Sequence, residues 1–495
     1  MRASGILMHI SSLPSPYGIG TFGKAAYEFV DFLATAGQRY WQILPIGPTS
    51  YGDSPYQSFS TFAGNPYFID LDLLEEDGLL FKQEYAAIDW GSDEAHTDYE
   101  KLYQSRFKVL RLVFERGFAR DAAKVAKFRQ ENAAWLEDYA LFMALKQQFN
   151  GVSWEQWEEE IRLRKPEALG YWHGHLKEEI DFWVYLQYLF YAQWDALKAY
   201  ANKHKVEIIG DLPIYVALDS ADVWANPKLF WLDRNLRPKF VAGVPPDYFA
   251  PEGQLWGNPL YLWRNHRAEG YRWWIQRIRA ATTIYDVVRI DHFRGFASFY
   301  AIPYGDKNAV NGKWVKGPGI ALFKEIRRTL GERQIIAEDL GVMTEDVVRL
   351  LKESGFPGMK VLQFAFEPNW DNGYLPHNHI KNCVVYTGTH DNDTLMSWWE
   401  TALSPHERQH AIDYLQLSEK EGINWGVIRG AWASVADLAI APVQDFLALG
   451  GQARMNHPST LGGNWQFRIR KGDLTEALAE RIERLSGLYQ RSTHS

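Results

Sequence analysis

At 495 residues the chain is long enough for one large domain with insertions and can bury a substantial core. A formal net charge of −8 gives no basic footprint for nucleic acid, and the single cysteine, Cys383, excludes an intramolecular disulfide and lacks metal-ligand spacing. The opening MRASGILMHISSLPSP is too brief and too polar-flanked for a signal peptide or a membrane span, so a cytoplasmic protein with no membrane partner is expected.

In chain order, apolar runs recur as ILMHIS, YWQILPI, VEIIGDLPIYV, DVVRIDH, QIIAEDL, GMKVLQFAF, CVVYTG and LAIAPVQDFL. Their continuous Val/Ile character reads as strands buried on both faces, as in a parallel sheet. Amphipathic stretches such as GIALFKEIRRTLGE and TEDVVRLLKESG lie between the later runs, so the predicted fold is α/β, a (β/α)8 TIM barrel. Residues 1–495 are expected to form a single catalytic domain. Two spacings are too long for simple βα units. Residues 68–204 are charged with helical periodicity and predict a largely helical insertion between the second and third strands. Residues 217–280, crowded with Trp, Pro, Gly and Tyr, predict a loop-rich, substrate-flanking insertion. Few residues follow the eighth run, so no C-terminal β-sandwich is expected.

Three carboxylates end predicted strands: Asp291 in DVVRIDHFRGF, Glu338 in QIIAEDLG and, after the seventh run, Asp391 in VVYTGTHDND. A lone strand-end acid is often a helix cap or a structural ion-pair partner. Three of them at the C-terminal face of a barrel converge on one substrate and point to glycosidic-bond chemistry. Arg289 lies two residues before Asp291, on the same strand face, and a guanidinium beside a carboxylate favours the ionised form expected of a nucleophile. The apolar residues before Glu338 favour a protonated general acid. His390 beside Asp391 suits a grip on sugar hydroxyls. The chain also holds 21 Trp, 26 Tyr and 27 Phe, several in Gly- and Pro-rich loops where a flat ring can stack on a pyranose.

Those residues, with GILMHISSLPSPYGIG, SYGDSPYQSFSTFAGNPY, GDLPIYVALDSADVWANP, AGVPPDYFAPEGQLWGNPLY, GFPGMKVLQFAF and ARMNHPSTLGGNW, closely resemble glycoside hydrolase family 77, the 4-α-glucanotransferases of the α-amylase superfamily. The likeness runs nearly end to end, with Ser15 and Ser459 standing where the family often has Gly. It implies Asp291 as nucleophile, Glu338 as acid/base and Asp391 as transition-state stabiliser. It further implies Tyr56, Asp211, Arg289 and His390 around the cleaved sugar. Tyr248, Phe249, Trp256 and Asn464 are candidates for the flanking loops. The implied reaction is retaining transfer of α-1,4-glucan segments, with maltooligosaccharides as substrates and another glucan or glucose as acceptor. An α-amylase-like hydrolase would use the same acids. No metal or other cofactor is called for, and no Ca²⁺ loop of the DxDxDG type occurs.

Overall fold

The computed structural model describes residues 2–50, 52–246, 250–367 and 372–494. Eight parallel strands form its centre: β1 (Ala3–Leu7), β2 (Tyr40–Gln42), β3 (Glu207–Leu212), β4 (Val287–Ile290), β5 (Ile335–Ala337), β6 (Gly358–Val361), β7 (Cys383–Tyr386) and β8 (Leu438–Pro442). Each of the predicted apolar runs supplies one. They pair in the order β6-β7-β8-β1-β2-β3-β4-β5, and the Ala337 N–H donates to Pro357 O at 2.9 Å, joining β5 to the start of β6 and closing the barrel. Closure leaves no exposed edge, which is why runs as short as YWQ and IIA suffice.

Helices cover the barrel's outer wall. Lys24–Thr35 turns Ala26, Phe29, Val30 and Leu33 inward at helical spacing, and Phe29 meets Trp41 of β2 edge-on at 5.0 Å between ring centroids. Burying such a ring contributes roughly 1.5–3 kcal/mol, so a charged residue at 29 would break this seam. Close packing also fixes Gly210 in β3, because a Cβ there would lie 2.2 Å from the Tyr285 ring.

The stretch between β2 and β3 is helical, including Tyr99–Gly117, Leu136–Gln148 and the 27-residue Lys177–Lys203. That last helix does two jobs. It packs on Leu136–Gln148 and Tyr99–Gly117 and also on β3 and Lys24–Thr35, so it belongs to the barrel wall as much as to the inserted bundle.

Residues 217–280 are more regular than their composition suggests. They contain helices Ala221–Ala225 and Trp263–Ala268, most of helix Arg272–Ile284, and strands Phe240–Val244 and Gln254–Pro259. These strands join Ser298–Pro303 and Lys313–Lys316 in an antiparallel sheet of four, with a register shift between Val241 and Gly243. Gly, Pro and the bulge interrupt the period-two pattern by which strands are recognised, so the sheet reads as loop in the sequence. Beyond β8 the described residues carry helices, including Glu476–Leu488, and no strand. Among them no helix is long and apolar enough to cross a membrane.

Candidate active site

Strand register builds the site. Ile209 to Leu212 of β3 lie beside Val287 to Ile290 of β4, which makes Asp211 and Arg289 direct neighbours. Their side chains meet at 2.5 Å, Arg289 Nη1 to Asp211 Oδ2. One strand further, Ile290 pairs with Ala337 of β5, so the next residue on each strand is an acid: Asp291 and Glu338. The parallel ladder runs on through them, with the Asp291 N–H donating to Leu212 O and the Glu338 N–H to Ile290 O, both at 3.0 Å. Adjacent strands are about 4.8 Å apart, so the two carboxyls emerge as neighbours at the C-terminal rim.

Their surroundings differ. Arg289 Nη1 donates to Asp291 Oδ1 at 3.1 Å while also serving Asp211. Burial raises the Asp291 carboxyl to about 6; Arg289 opposes that shift, and the neighbouring Asp211 and Asp391 reinforce it. One shared cation therefore does not hold Asp291 in the ordinary carboxylate range, contrary to the expectation from the Arg-x-Asp pattern alone. Glu338 is pushed to about 7, first by burial and then by repulsion from Asp291. Against this, both its oxygens accept backbone hydrogen bonds, Oε2 from the His292 N–H and Oε1 from the Leu340 N–H, each at 2.7 Å. His292 reaches that position in the left-handed region, at φ 48°. A non-glycine residue held there beside a catalytic candidate is strain the surrounding packing must sustain.

Asp391 follows β7 by five residues, in the turn that β7 feeds. Burial works against its ionisation, but the charge of His390 and hydrogen bonds from His390 and Asn456 outweigh it and hold the carboxyl well below the usual carboxylate range. His390 Nε2 lies 3.3 Å from Asp391 Oδ2, and Asn456 Nδ2 donates to Oδ1 at 2.7 Å. Arg454 Nη2 donates to the Asp391 carbonyl at 2.9 Å. For His390, too, burial disfavours the charge, and Asp391 more than offsets it, raising the imidazole.

Tyr56 ties the halves together. Its hydroxyl donates to Asp211 Oδ2 at 2.7 Å, and its ring stacks on His390 with centroids 5.0 Å apart and planes 15° apart. Trp465 tilts against both rings.

A cleft of about 500 Å³ opens at this mouth and brings together Tyr56, Trp256, Asp291, His390, Asp391 and Asn464, while Glu338, Asp211 and Arg289 are not part of its lining. Trp256 comes from the antiparallel sheet, its indole N–H donating to Gln254 Oε1 at 3.0 Å and its ring edge-on to His292 at 4.8 Å. Asn464 lines the cleft, but both ends of its amide brace its own loop, Oδ1 accepting from the His457 N–H and Nδ2 donating to Thr460 Oγ1. Tyr248 and Phe249 lie outside the described residues. Among those described, no group of three or more His, Cys, Asp or Glu is placed to hold a metal ion.

Sequence alone does not single out Asn456, Arg454 or the His292 amide, whereas Trp465 is one of the loop tryptophans, in GGNWQF, that suit a sugar ring. Asn456 and Arg454 fall within the ARMNHPSTLGGNW segment, but a loop without periodicity does not reveal which side chain returns to the barrel mouth. The amide role of His292 has no side-chain signature.

Comparison with known proteins converges on the same chemistry. The glycoside hydrolase 77 family pattern, described as 4-α-glucanotransferase, matches residues 8–475. The 4-α-glucanotransferase of Clostridium butyricum is 52% identical over 485 residues, covering 98% of this chain and 100% of that protein. Its counterpart in Streptococcus pneumoniae is 50% identical over 492 residues, covering 99% of this chain and 97% of that one. The amylomaltase of Streptococcus agalactiae in complex with acarbose superposes with a TM-score of 0.97 at 43% identity, covering 99% of this chain and all of the other. The chain belongs to glycoside hydrolase family 77, the 4-α-glucanotransferases.

Proposed function

We propose that this 4-α-glucanotransferase works by retaining double displacement, with α-1,4-glucans and maltooligosaccharides as donors and another glucan or glucose as acceptor. The observation that carries this reading is the β4–β5 register, which sets Asp291 and Glu338 side by side. A retaining glycosidase needs its two carboxyls only about 5–5.5 Å apart, since no water has to fit between nucleophile and sugar. Neighbouring strand ends supply such a spacing naturally. The complex of the S. agalactiae amylomaltase with acarbose supports an α-glucan as occupant of the cleft.

Asp291 attacks the anomeric carbon as Glu338 protonates the departing glycosidic oxygen; the carbon–oxygen bond breaks and a glycosyl ester forms. Glu338 then takes the proton of an acceptor 4-hydroxyl, whose oxygen displaces Asp291. Two carboxyls that repel across one strand spacing suit these steps, because near neutral pH the pair retains about one proton. Asp391, kept ionised by His390 and Asn456, faces the positive charge that develops at the sugar ring. Asp211 Oδ1 is buried without a hydrogen-bond partner among the described residues, and a sugar hydroxyl or a water would satisfy it.

Incubation with maltotriose tests the proposal. Glucose should appear together with maltopentaose and longer products. Glucose and maltose without longer chains would replace transfer by hydrolysis, and products of inverted anomeric configuration would refute the ester intermediate.

A further inference from the structure

Outside the barrel, between helices Ala122–Glu131, Lys177–Lys203 and Arg272–Ile284, lies a second cleft of about 610 Å³, larger than the one over the acids. One wall is a run of half-buried and buried rings. Phe62 stacks on Trp135 at 6.2 Å and 15°, Trp135 meets Tyr191 at 6.1 Å, and Tyr191 meets Phe128 at 5.5 Å. The rings are pinned, because the Trp135 indole N–H donates to Asn132 Oδ1 at 3.2 Å and the Tyr191 hydroxyl to Phe62 O at 2.5 Å.

The opposite rim is polar. The side chains of Asp195, Gln276 and Arg279 line the cleft; among the described residues Asp195 feels the charge of Lys198, and the Gln276 and Arg279 side chains make no hydrogen bond or ion pair of their own. An acid, an amide and a guanidinium offer acceptors and donors together, which matches hydroxyl groups that both give and take. With Lys124, Lys127 and Glu131 also present the rim carries both signs of charge, so it does not select a polyanion. Flat rings facing mixed donors and acceptors suit an uncharged polyhydroxylated chain.

From this we infer that the cleft is an ancillary glucan-binding site that holds a remote part of a long substrate while the barrel mouth acts on another. The inference rests on the transferase reading above. The two places are close, for Phe62 and Tyr191 also line a small internal pocket that reaches Tyr56 and Asp211. The ancillary site is therefore joined to the sugar-holding residues through one layer of packed side chains.

Two variants test it without disturbing the ring wall: the double variant Gln276→Ala, Arg279→Ala, which strips the rim, and Ala192→Leu, which fills the cleft from an exposed helix position. Each should raise KM for amylose about 3- to 10-fold, as expected for one or two lost hydrogen bonds or an obstructed contact. kcat should hold, the kinetics on maltotriose, too short to reach both places, should not change, and retention in a native gel containing amylopectin should fall. An unchanged KM and retention in both variants, or an equal loss on amylose and maltotriose, overturns the site. If the wild type fails to disproportionate maltotriose while gel retention still falls in both variants, the transferase reading fails and the binding site stands.

Discussion

Two sides of one barrel mouth hold carboxylates in opposite states. At the β7 side Asp391 has a histidine beside it and an asparagine amide on its second oxygen, and it stays ionised at the open rim of the cleft. At the β4–β5 side Glu338 is buried and Asp291 half-buried, Asp291 shares one guanidinium with Asp211, and desolvation lifts both acids, reinforced at Asp291 by Asp211 and Asp391 and at Glu338 by Asp291. Desolvation disfavours the charge of all three acids. What separates them is the charge close by, a histidine for Asp391 against neighbouring carboxylates and one shared guanidinium for the other two, and this decides which carboxyl can carry a proton near neutral pH.

The harshest test of the contrast is Asp291→Asn. An amide cannot form the glycosyl ester, so kcat should fall by about 10⁴-fold or more, the scale seen when a covalent nucleophile is removed. The same variant should be more stable than the wild type at high pH. Because the folded pKa of Asp291, about 6, lies above its ordinary unfolded value, the folded chain keeps the proton to higher pH than the unfolded one. Stability is full below about pH 4 and declines up to about pH 6, so the variant should gain about 1–3 kcal/mol at pH 8 and little at pH 4. Thermal unfolding at both values measures this. An equal gain at the two values would remove charge burial as its cause.

Glu338→Gln comes next. Turnover of maltotriose should drop about 10²- to 10⁴-fold, the usual reach of general acid–base catalysis, while glucosyl fluorides, whose leaving group needs little protonation, lose far less in the first step. Parallel loss on both donors would take the acid role from Glu338. For the wild type, the dyad lifted to about 6 and about 7 predicts a bell in pH whose acid limb reports the proton on the pair that silences the nucleophile and whose alkaline limb reports loss of the remaining one. Asp391 contributes neither limb, since it titrates below the ordinary carboxylate range.

Asn456→Ala probes the other side. Asp391 would lose a donor on Oδ1, its pKa would rise toward the ordinary value, and kcat should fall about 10-fold, the scale of one charge-assisted hydrogen bond of 1.5 kcal/mol or so. Partial restoration by Asn456→Gln, which keeps an amide donor, would support this role, whereas a kcat that does not move in Asn456→Ala would show that His390 alone is enough to orient Asp391.

How far the sequence reveals this site follows from the same geometry. Strand ends are legible because VVRI, IIA and CVVY are short runs dominated by Val and Ile, and a polar residue that ends such a run emerges at the rim. Asp291 and Glu338 follow from that rule, Arg289 from the period-two alternation that puts it on the face of Asp291, and Asp391 from the polar turn beyond β7, although the sharing of Arg289 with Asp211 requires the β3–β4 register, which no single strand encodes. Asn456 stays hidden because it reaches the mouth from a loop, where proximity is set by tertiary packing, and the same loop shows Trp465 only as a ring suited to sugar, not its place beside Tyr56 and His390. The sheet carrying Trp256 reads as loop in the sequence because its strands are bulged and punctuated by Gly and Pro.

Trp256 supplies the smallest expected effect and the finest distinction. Its ring is half-buried beside His292, the residue whose amide holds Glu338, so it stands at the rim of the cleft rather than in the core. If the indole receives the incoming sugar, Trp256→Ala removes roughly 1–3 kcal/mol of apolar contact from the acceptor and none from water. The acid pair stays in register, since the β4–β5 ladder and both hydrogen bonds to Glu338 are made by the backbone. Glucan transfer should then fall about 5- to 100-fold relative to release of reducing ends by water, a ratio that follows from that energy range. The ratio is read from amylose under matched conditions. A fall in both reactions together would place Trp256 on the donor side or in support of His292, and an unchanged ratio would leave acceptor preference to other walls of the cleft.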